Sequence, residues 1–326
     1  MRAPDFWHET AGAAGNLLAG LLTPVGVALD AAGRLRRAVV RPYRAPVPVI
    51  CVGNLVAGGS GKTPVALSLA AILAARGVEP AVVTRGYGGR LAGPVRVDPR
   101  RHDAAAVGDE ALLAAAVVPC WVARDRAAGV RAAVADGARA IILDDGFQNP
   151  HVAKDLSLVV VDAAYGFGNG RLIPAGPLRE TIAAGLARAD ALVVVGDAAS
   201  RAASRLPTDR PVLRAVLEPA GKTPPPPAPV IAFAGIGRPE KFFATLRAHG
   251  VDVAAAHGFP DHHRYTPADL AALRRETAAR QARLVTTRKD WVRLPAADRG
   301  DIDVLDVALR WRDGAALDAL LAPHFG

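Results

Sequence analysis

Residues 47–64 read VPVICVGNLVAGGSGKTP, and this stretch decides the fold. An apolar, β-branched run at residues 47–52 is followed by a glycine-rich turn, which leads directly into the apolar helix pattern of residues 63–75. Glycines let the main chain of such a turn point its amides inward around phosphate oxygens, and the start of the helix adds favourable partial charge. The order of strand, glycine loop and helix therefore predicts a phosphate-binding loop.

The residues of the loop have expected roles in holding a nucleotide. Lys62 is expected to reach the outer phosphates, and the Thr63 hydroxyl to ligate Mg²⁺. The strict Walker A spacing puts glycine at position 56, where this chain has Val56, so the loop is a variant of that motif. A glycine-rich turn that binds no nucleotide is the alternative. The residues predicted to bind ATP are Ala57, Gly58, Gly59, Ser60, Gly61, Lys62 and Thr63.

Two adjacent acidic residues, Asp144 and Asp145, follow the apolar run at residues 140–143. A carboxylate at the end of a strand next to the phosphate loop can hold Mg²⁺ directly or through water. Asp144 and Asp145 are therefore predicted to form the metal site together with Thr63. A turn or a helix cap is the alternative role for such a pair.

Apolar strand patterns alternate with Ala/Leu-rich helix patterns after residue 44, which is typical of a parallel sheet covered by helices. The predicted fold class is α/β: a P-loop NTPase-like, mainly parallel sheet in an α/β/α sandwich, with a second, smaller α/β domain. Strands of the main sheet are predicted at 47–52, 81–84, 140–143, 156–161 and 191–195, and helices at 63–75, 110–116 and 124–135.

A proline run marks the boundary between the two predicted domains. The prolines at 224–227 and Pro229 cannot continue a helix or a central strand, and they indicate a stiff connection. The resulting division is an N-terminal helical segment (1–45), a P-loop domain (46–222) and a smaller α/β domain (223–326) that closes over the active site. In the smaller domain, strands are predicted at 230–234, 251–255, 283–286 and 304–309, and helices at 239–248, 267–280 and 315–321.

The first 45 residues combine an apolar run with a basic flank. Residues 11–29 are almost wholly apolar, interrupted by Asn16, Thr23 and Pro24, and five arginines follow between residues 34 and 44. A signal peptide carries its positive charge before the apolar run, so secretion is not expected. We predict one or two short amphipathic helices on a bilayer surface, with the arginines near anionic headgroups. A spanning helix and a helix packed on the protein's own core are the alternatives.

The composition fits a globular protein with about two domains. The chain has 326 residues, of which 51% are apolar and 22% charged, and a formal net charge of +9. This charge favours anionic partners without selecting one, and only five of the forty basic residues are lysine, so part of the excess reflects arginine-rich usage. Cys51 and Cys120 have neither disulfide nor zinc spacing, which is typical of a reduced, cytosolic chain.

Several motifs match one family in order along most of the chain. They read RGYGG at 85–89, VGDE at 107–110, DDGFQ at 144–148 and DHH at 261–263, besides the loop at 53–64 and the segment 168–180. The matches extend from PDFW at 4–7 to TTRKD at 286–290. On these motifs the chain resembles the tetraacyldisaccharide 4'-kinase (lipid A 4'-kinase) family.

The resemblance implies an activity, cofactors and a location. The activity is transfer of the ATP γ-phosphoryl group to the 4'-hydroxyl of a tetraacylated glucosamine disaccharide 1-phosphate, giving lipid IVA, with ATP and Mg²⁺ as cofactors. The location is the cytoplasmic face of the inner membrane, as a peripheral (monotopic) protein. The expected partners are the anionic glycolipid and the membrane surface, with no nucleic acid and no obligate protein partner.

The family pattern also implies the catalytic pair Asp109 and His262, acting with Lys62. A His made more basic by a carboxylate, or an Asp polarised by a His, can accept the proton of the sugar hydroxyl, and the sequence does not choose between them. Without the family, Asp109 reads equally as a helix N-cap, and the motif at 261–263 as a loop or metal site. His263 is the adjacent alternative to His262.

Five further residues are implied to contact the substrate. Arg179 can pair with phosphate and Glu180 can hydrogen-bond a sugar hydroxyl, although an ordinary surface ion pair is the alternative for these two. A plain flexible turn is the alternative for the glycine loop at 85–89. The complete predicted set is Arg85, Tyr87, Gln148, Arg179 and Glu180.

The chain departs from the family pattern at two places. Asn149 stands where the family often has a histidine, and Arg288 where it usually has an acidic residue. An essential imidazole at position 149 and a carboxylate role at position 288 are therefore in question.

Two other classes of protein compete with this interpretation. The sequence GGSGKT at 58–63 resembles the loop of partition-type and metal-export ATPases, but those loops carry an additional lysine where this chain has Ala57. A non-enzymatic basic module that binds nucleic acid or membrane is disfavoured because aromatic residues make up only 5% of the chain and no nucleic-acid-binding motif is present.

Overall fold

The phosphate-binding loop is carried by a nine-stranded sheet. The computed structural model describes residues 4–7, 12–196, 206, 209–220 and 228–325, so the prolines at 224–227 lie outside the described residues. The strands of this sheet are β1 (Val49–Gly53), β2 (Pro80–Thr84), β3 (Val95–Arg96), β4 (Cys120–Val122), β5 (Ala140–Asp144), β6 (Leu156–Asp162), β7 (Ala191–Val195), β8 (Val212–Pro219) and β13 (Val307–Trp311).

The order of the strands places the loop near the middle of the sheet. The order is β13-β8-β7-β6-β1-β5-β2-β4-β3, and only the two outer pairs are antiparallel. Every residue of β1, β2, β5, β6 and β7 is buried, as expected for parallel strands covered on both faces. Because β1 lies between β5 and β6, the residues that follow these three strands meet at one edge.

Helices cover the two faces of this sheet. Each face has its own apolar cluster, and α2 packs its buried residues into one of them. The helices that precede the second sheet are α1 (Ala13–Val39), α2 (Lys62–Ala75), α3 (Ala104–Val107), α4 (Asp109–Ala115), α5 (Arg126–Ala135) and α6 (Ile182–Leu186), and a 3₁₀ turn spans Asp5–Trp7.

A second sheet of four parallel strands forms the smaller unit. Its strands are β9 (Val230–Ala234), β10 (Val253–Gly258), β11 (Arg283–Thr287) and β12 (Ile302–Leu305), in the order β10-β9-β11-β12. The later helices are α7 (Pro239–Ala248), α8 (Pro267–Arg280), α9 (Arg288–Trp291) and α10 (Gly314–Phe325), with a 3₁₀ turn at Ala296–Asp298. The predicted bounds of β7, β9, α7 and α8 match those of the structure.

The last twenty residues differ from the prediction. The single strand expected at 304–309 is two strands in different sheets: β12 belongs to the small sheet, and β13 pairs with β8 of the large one. Leu317 and Leu321 of α10 are buried in the core of the large sheet, and Trp311 Nε1 donates to Ser68 Oγ of α2 over 2.9 Å. Residues 307–325 therefore return to the large domain, whereas the prediction placed all of 223–326 in the small one. An apolar run does not encode which sheet receives it.

Strands β3, β4 and β8 were not predicted from the sequence. β3 and β4 have only two and three residues, which is too short for a periodic pattern. β8 has a mixed burial pattern and receives β13, so tertiary pairing decides its structure.

The N-terminal segment is one helix of 27 residues rather than one or two short ones. It continues through Pro24, and it rests on the large domain at Gly26, where a Cβ would lie 2.9 Å from the Cβ of Leu172. It is long and apolar enough to cross a membrane, but only 17% of its most apolar 18-residue window is buried. A helix packed on the protein's own core would be mostly buried, so that alternative does not fit.

The packing of α10 predicts a measurable change in stability. Leu321 is fully buried, and Leu321→Ala should lower the free energy of unfolding by about 2–5 kcal/mol, because it leaves a cavity in the core of the large sheet. Chemical denaturation followed by circular dichroism measures the change.

Leu217 is the matched control, since it is 39% exposed on β8. Leu217→Ala should change the stability by no more than about 0.5 kcal/mol. Equal losses in the two variants would contradict the assignment of the C-terminal helix to the large domain.

Candidate active site

The phosphate loop leaves β1 at Gly53 and enters α2 after Gly61. A Cβ at Gly53 would lie 2.3 Å from the Cβ of Phe147, so only glycine fits at the end of the strand. Gly61 has a φ of +87°, in the left-handed region that glycine adopts without strain. A Cβ on Gly58 or Gly59 would meet no atom within 4 Å, so the loop is open at these two positions.

Val56, which replaces the Walker glycine, anchors the loop. Its side chain is buried, and it forms an isolated antiparallel bridge with Leu178. The amide of Ala57 donates to the carbonyl of Pro177 over 2.8 Å. The variant loop is thus fastened to the irregular segment at 172–180, which carries two of the predicted substrate residues.

Lys62 folds back over the loop. Its Nζ lies 3.4 Å from the carbonyl oxygen of Gly58 and 3.9 Å from Oδ2 of Asp145. Burial lowers the pKa of Lys62, although Asp145 acts in the opposite direction. An ammonium group with such long contacts can exchange them for shorter, charge-assisted bonds to phosphate oxygens.

Thr63 and Asp144 provide the oxygen atoms that suit a divalent cation. Thr63 Oγ1 donates to Asp144 Oδ2 over 3.0 Å, and Asp144 Oδ1 is buried without a hydrogen-bond partner in the described part of the chain. Burial, together with Glu110 and Asp145, raises the pKa of Asp144 to about 7. A buried carboxylate oxygen that lacks a compensating charge fits a Mg²⁺ ligand.

Asp145 has a different environment from Asp144. Both of its oxygens accept from Arg179, over 2.8 and 3.2 Å, and its φ of +53° turns it away from the strand direction. Burial alone would raise the pKa of Asp145, but Lys62 and Arg179 outweigh it and lower the pKa. Of the two predicted metal ligands, Asp144 therefore has the free oxygen, and Asp145 is held in a bidentate ion pair.

Asp109 and His262 meet across the boundary between the two domains. Asp109 opens α4 of the large domain, and its Oδ1 accepts from the amide of Glu110 over 2.8 Å. Its Oδ2 lies 2.9 Å from Nδ1 of His262, which follows β10 of the small domain. His262 has a φ of +58°, a conformation that is uncommon for a residue other than glycine. The structure thus places the two predicted residues in direct contact.

The charges around Asp109 distinguish the roles of the pair. Burial alone would raise the pKa of Asp109, but the hydrogen bond from His262 and the charges of Lys289 and Arg293 lower it far below its usual range. An ionised carboxylate of this kind is a weak base. It accepts Nδ1–H of His262, which leaves Nε2 as the nitrogen able to take a proton.

His263 faces the interior of the small domain. Its Nε2 lies 3.1 Å from Oδ2 of Asp269, and its ring stacks on Phe259 with the centroids 4.7 Å apart. The ring also meets Tyr265 edge-on at 5.0 Å. The two adjacent histidines therefore point in different directions, and only His262 reaches Asp109.

Three charged residues complete this region and were not assigned from the sequence. Lys289 Nζ donates to Glu110 Oε1 over 3.2 Å and lies 3.5 Å from His262 Nε2. Arg293 Nε donates to Asp109 Oδ2 over 2.7 Å. Glu110 and Lys289 lie inside the VGDE and TTRKD motifs, so these motifs could have identified them as site residues. Arg293 lies outside both motifs.

Asp109, Glu110 and His262 could in principle hold a metal ion, since one ligand atom of each lies within 4.8 Å of the others. The ammonium of Lys289 already pairs with Glu110, and the guanidinium of Arg293 with Asp109. With two protein cations in place, this cluster has less need of a metal than Asp144 does.

The predicted substrate residues fall into two groups. Arg85 is exposed, and Tyr87 is 63% exposed with its ring centroid 5.0 Å from that of His262. A cavity of about 540 Å³ opens beside Tyr87, and Asp109 and His262 are among its lining residues, whereas Arg85 is not. Tyr87 is therefore available to a ligand next to the Asp109–His262 pair.

Glu180 and Gln148 are held by other protein groups. Glu180 is fully buried, and its carboxylate accepts from Arg188 over 2.5 Å and pairs with Arg37 of α1 at 3.4 Å. Gln148 Nε2 donates to Glu180 over 3.1 Å and to the carbonyl of Asn54 over 2.8 Å. In this conformation Glu180 has no surface for a sugar hydroxyl, so the prediction of direct contact is not supported for it. Glu180 instead ties α1 to the site.

The two departures from the family pattern have local explanations. Asn149 Oδ1 accepts from the amide of His151 over 2.9 Å, so Asn149 closes a turn. Arg288 Nε donates to Asp306 over 2.6 Å, and its guanidinium lies 5.0 Å from the centroid of the Trp291 ring. Arg288 therefore forms an ion pair within the small domain, directed at Asp306.

Comparison with known proteins agrees with the motifs. The family model described as tetraacyldisaccharide-1-P 4'-kinase (LpxK) matches residues 18–325. A tetraacyldisaccharide 4'-kinase of Rhodospirillum centenum is 56% identical over 330 residues, which cover 99% of this chain and 96% of the relative. One of Gluconacetobacter diazotrophicus is 52% identical, covering 98% and 97%.

A solved structure has the same fold. It is described as the "apo" form of LpxK from Aquifex aeolicus in complex with ATP, and it superposes with a TM-score of 0.77 at 26% sequence identity. The match covers 95% of this chain and 100% of that one. The predicted fold class and the resemblance read from the motifs are both confirmed.

The contrast between the adjacent histidines gives a prediction. His262→Ala should lower kcat by roughly 10²- to 10⁴-fold, because it removes the group that can accept a proton, and it should leave ATP affinity nearly unchanged. Steady-state kinetics and nucleotide-binding calorimetry measure the two effects.

His263→Ala is the matched control. It should lower the melting temperature of the small domain but keep kcat within a few-fold of the unmodified chain, because His263 faces Phe259 and Asp269. A larger loss of kcat in His263→Ala than in His262→Ala would reverse the assignment.

Proposed function

The chain belongs to the tetraacyldisaccharide 4'-kinase family, and we propose how its residues divide the work of that reaction. It is an ATP-dependent kinase that phosphorylates the 4'-hydroxyl of a tetraacylated glucosamine disaccharide 1-phosphate to give lipid IVA, in lipid A biosynthesis. The observation that carries the proposal is the contact between Asp109 and His262, made across the domain boundary beside the phosphate loop.

The donor side of the reaction is the loop at 57–63. Its amides and the start of α2 bind the phosphates of ATP, and Lys62 neutralises charge on the outer ones. Phosphoryl transfer has a loose transition state, so positioning and charge stabilisation supply most of the rate. The small domain lies against this loop at Gly237, where a Cβ would be 3.4 Å from the amide nitrogen of Gly59.

Magnesium fits at Thr63 and Asp144. The partnerless buried Oδ1 of Asp144 supports this role, and Asp145 contributes through the ion pair that holds Arg179. When bound, Mg²⁺ supplies positive charge to the phosphates of ATP. Thr63 and Asp144 would hold the ion through the Thr63 hydroxyl and the Asp144 carboxylate.

The acceptor side is His262, which takes the proton of the sugar hydroxyl on Nε2 as the hydroxyl attacks. Asp109 fixes the tautomer and stabilises the imidazolium that forms. Glu110 connects the two sides, since its charge acts on Lys62 and on Asp144 while its carboxylate pairs with Lys289. We assign the exposed Arg85 and Tyr87 to contacts with the anionic sugar, and Arg179 to the phosphate oxygens.

Helix α1 is proposed to hold the protein on the cytoplasmic face of the inner membrane as a peripheral protein. Most of the large apolar side chains that the described structure exposes lie on it: Leu17, Leu18, Leu21, Val25, Val27, Leu29, Leu35 and Val39. Such a face binds lipid by burying apolar area. The basic flank contributes less than the sequence suggests, because Arg37 turns inward to Glu180 and Arg44 lies near Asp155.

The function is tested by following the γ-phosphate. Incubation with labelled ATP, Mg²⁺ and the tetraacylated disaccharide 1-phosphate should place the label on the glycolipid. Lys62→Ala should lower kcat by roughly 10²- to 10³-fold, because the outer phosphates lose a buried cation. Label that appears only as free phosphate, at a rate rising with protein concentration, would favour the partition-type ATPase instead.

The membrane role of α1 is tested by polar substitution of its exposed face. Leu17, Leu21 and Val25 are 68%, 69% and 49% exposed and lie four residues apart. Replacing all three with Ser should weaken partitioning into phosphatidylethanolamine and phosphatidylglycerol vesicles by roughly 4 kcal/mol, about a thousandfold. Vesicle co-sedimentation measures the change.

The matched control replaces three apolar residues exposed elsewhere. Val117, Leu217 and Val307 are 45%, 39% and 45% exposed and lie outside α1. Their replacement by Ser should leave partitioning within about threefold. Unchanged binding after the α1 substitutions would refute the surface-helix role.

A further inference from the structure

Arg293 is a buried cation that contacts Asp109 and the main chain of the turn that carries His262. Its side chain is 5% exposed, and it follows α9 of the small domain. Nε donates to Asp109 Oδ2 of the large domain over 2.7 Å, the same oxygen that faces Nδ1 of His262 at 2.9 Å. The carboxylate therefore lies between an imidazole and a guanidinium.

Arg293 also holds the main chain on which His262 is mounted. Its Nη1 donates to the carbonyl of Gly235 over 2.8 Å, and that carbonyl also accepts from the amide of His262 over 3.0 Å. A further contact of Nη1 reaches the carbonyl of His263 at 3.4 Å. The turn that gives His262 its left-handed φ of +58° is thus bonded to the same guanidinium that holds Asp109.

Asp290 fixes the guanidinium in turn. It is fully buried, and its Oδ1 lies 3.1 Å from Nη1 of Arg293 while accepting from the amide of Gly235 over 2.8 Å and from the hydroxyl of Tyr265 over 2.7 Å. A planar guanidinium whose Nε and Nη1 face different acceptors allows little rotation. A lysine ammonium cannot reproduce both directions at once.

We propose that Arg293 is a positioning residue for phosphoryl transfer. It holds the Asp109 carboxylate and the turn that carries His262 at a fixed distance and orientation where the two domains meet. The inference rests on the proposed role of His262 as the base. Arg293 lines the cavity beside the pair, but its side chain is only 5% exposed and its Nε and Nη1 are bonded to protein acceptors, so we assign it a positioning role.

The test compares two substitutions in the full-length chain. Arg293→Lys keeps the charge but loses the geometry, so kcat should fall roughly 10- to 100-fold while KM for ATP stays within about twofold. Arg293→Met also removes the positive charge beside Asp109. Loss of this charge stabilises the protonated form of His262. The acid limb of its kcat profile should therefore move to higher pH, by roughly half a unit or more, whereas that of Arg293→Lys should stay in place.

The other charged and titratable groups near His262 are unchanged in both variants. They are Asp109 and Glu110 of α4, Lys289 of α9, Asp261 of the same turn, and Tyr87 of the glycine loop. A shift seen with Met and absent with Lys therefore reports the charge at position 293. A merely structural role would lower kcat equally at every pH in both variants.

Arg274→Met is the control for loss of an ion-paired arginine in the small domain, because its partly exposed guanidinium pairs with Asp298 and Asp301 and not with the catalytic pair. It should leave kcat and the pH profile unchanged. Full kcat in Arg293→Lys, or an unmoved acid limb in Arg293→Met, overturns the proposal. Should Arg293→Met fail to fold, the kcat and KM of Arg293→Lys decide it.

His262→Ala, measured alongside, separates the two claims. If it keeps full turnover, the base assignment fails and the positioning role fails with it. If it loses turnover while both Arg293 variants retain theirs, only the positioning role fails.

Discussion

The hydrogen bond between Asp109 and His262 joins the two domains of this protein at the place where we propose that the acceptor hydroxyl is activated. Each partner is immobilised by its own domain: Asp109 by the first turn of α4, and His262 by a left-handed turn after β10. Neither sheet alone contains the pair. A change in the angle between the domains therefore alters the distance between this carboxylate and this imidazole.

The site is a row of buried and partly buried charges, and its arrangement follows from the cost of removing each of them from water. Asp145 is paired with two cations, Lys62 and Arg179, and Glu110 is paired with Lys289. Among the described residues, the Asp144 side chain is hydrogen-bonded by the hydroxyl of Thr63 and forms no ion pair, so it lacks a cationic partner. A buried charge without a partner is costly, and the Mg²⁺ that we propose at this site would supply the missing positive charge.

The N-terminal helix connects this polar site to an exposed apolar surface. Its buried side contacts the segment at 172–180 through Gly26 and Arg37, and that segment also holds the phosphate loop through Pro177. Its opposite side exposes leucine and valine. We propose that these contacts hold the phosphate loop near a bilayer surface, where a lipid acceptor is accessible.

The sequence by itself determined the α/β class, the phosphate loop, the central strands and the strand-end position of Asp144, because apolar periodicity and glycine placement act over a few residues. The family motifs added Asp109 and His262. Only the tertiary structure decided that Glu180 is buried, that Asp145 is bound by Arg179, that the chain after Asp306 returns to the large sheet, and that Arg293 reaches Asp109 from 184 residues away. These contacts join distant segments, and no local pattern encodes which buried charge will meet which partner.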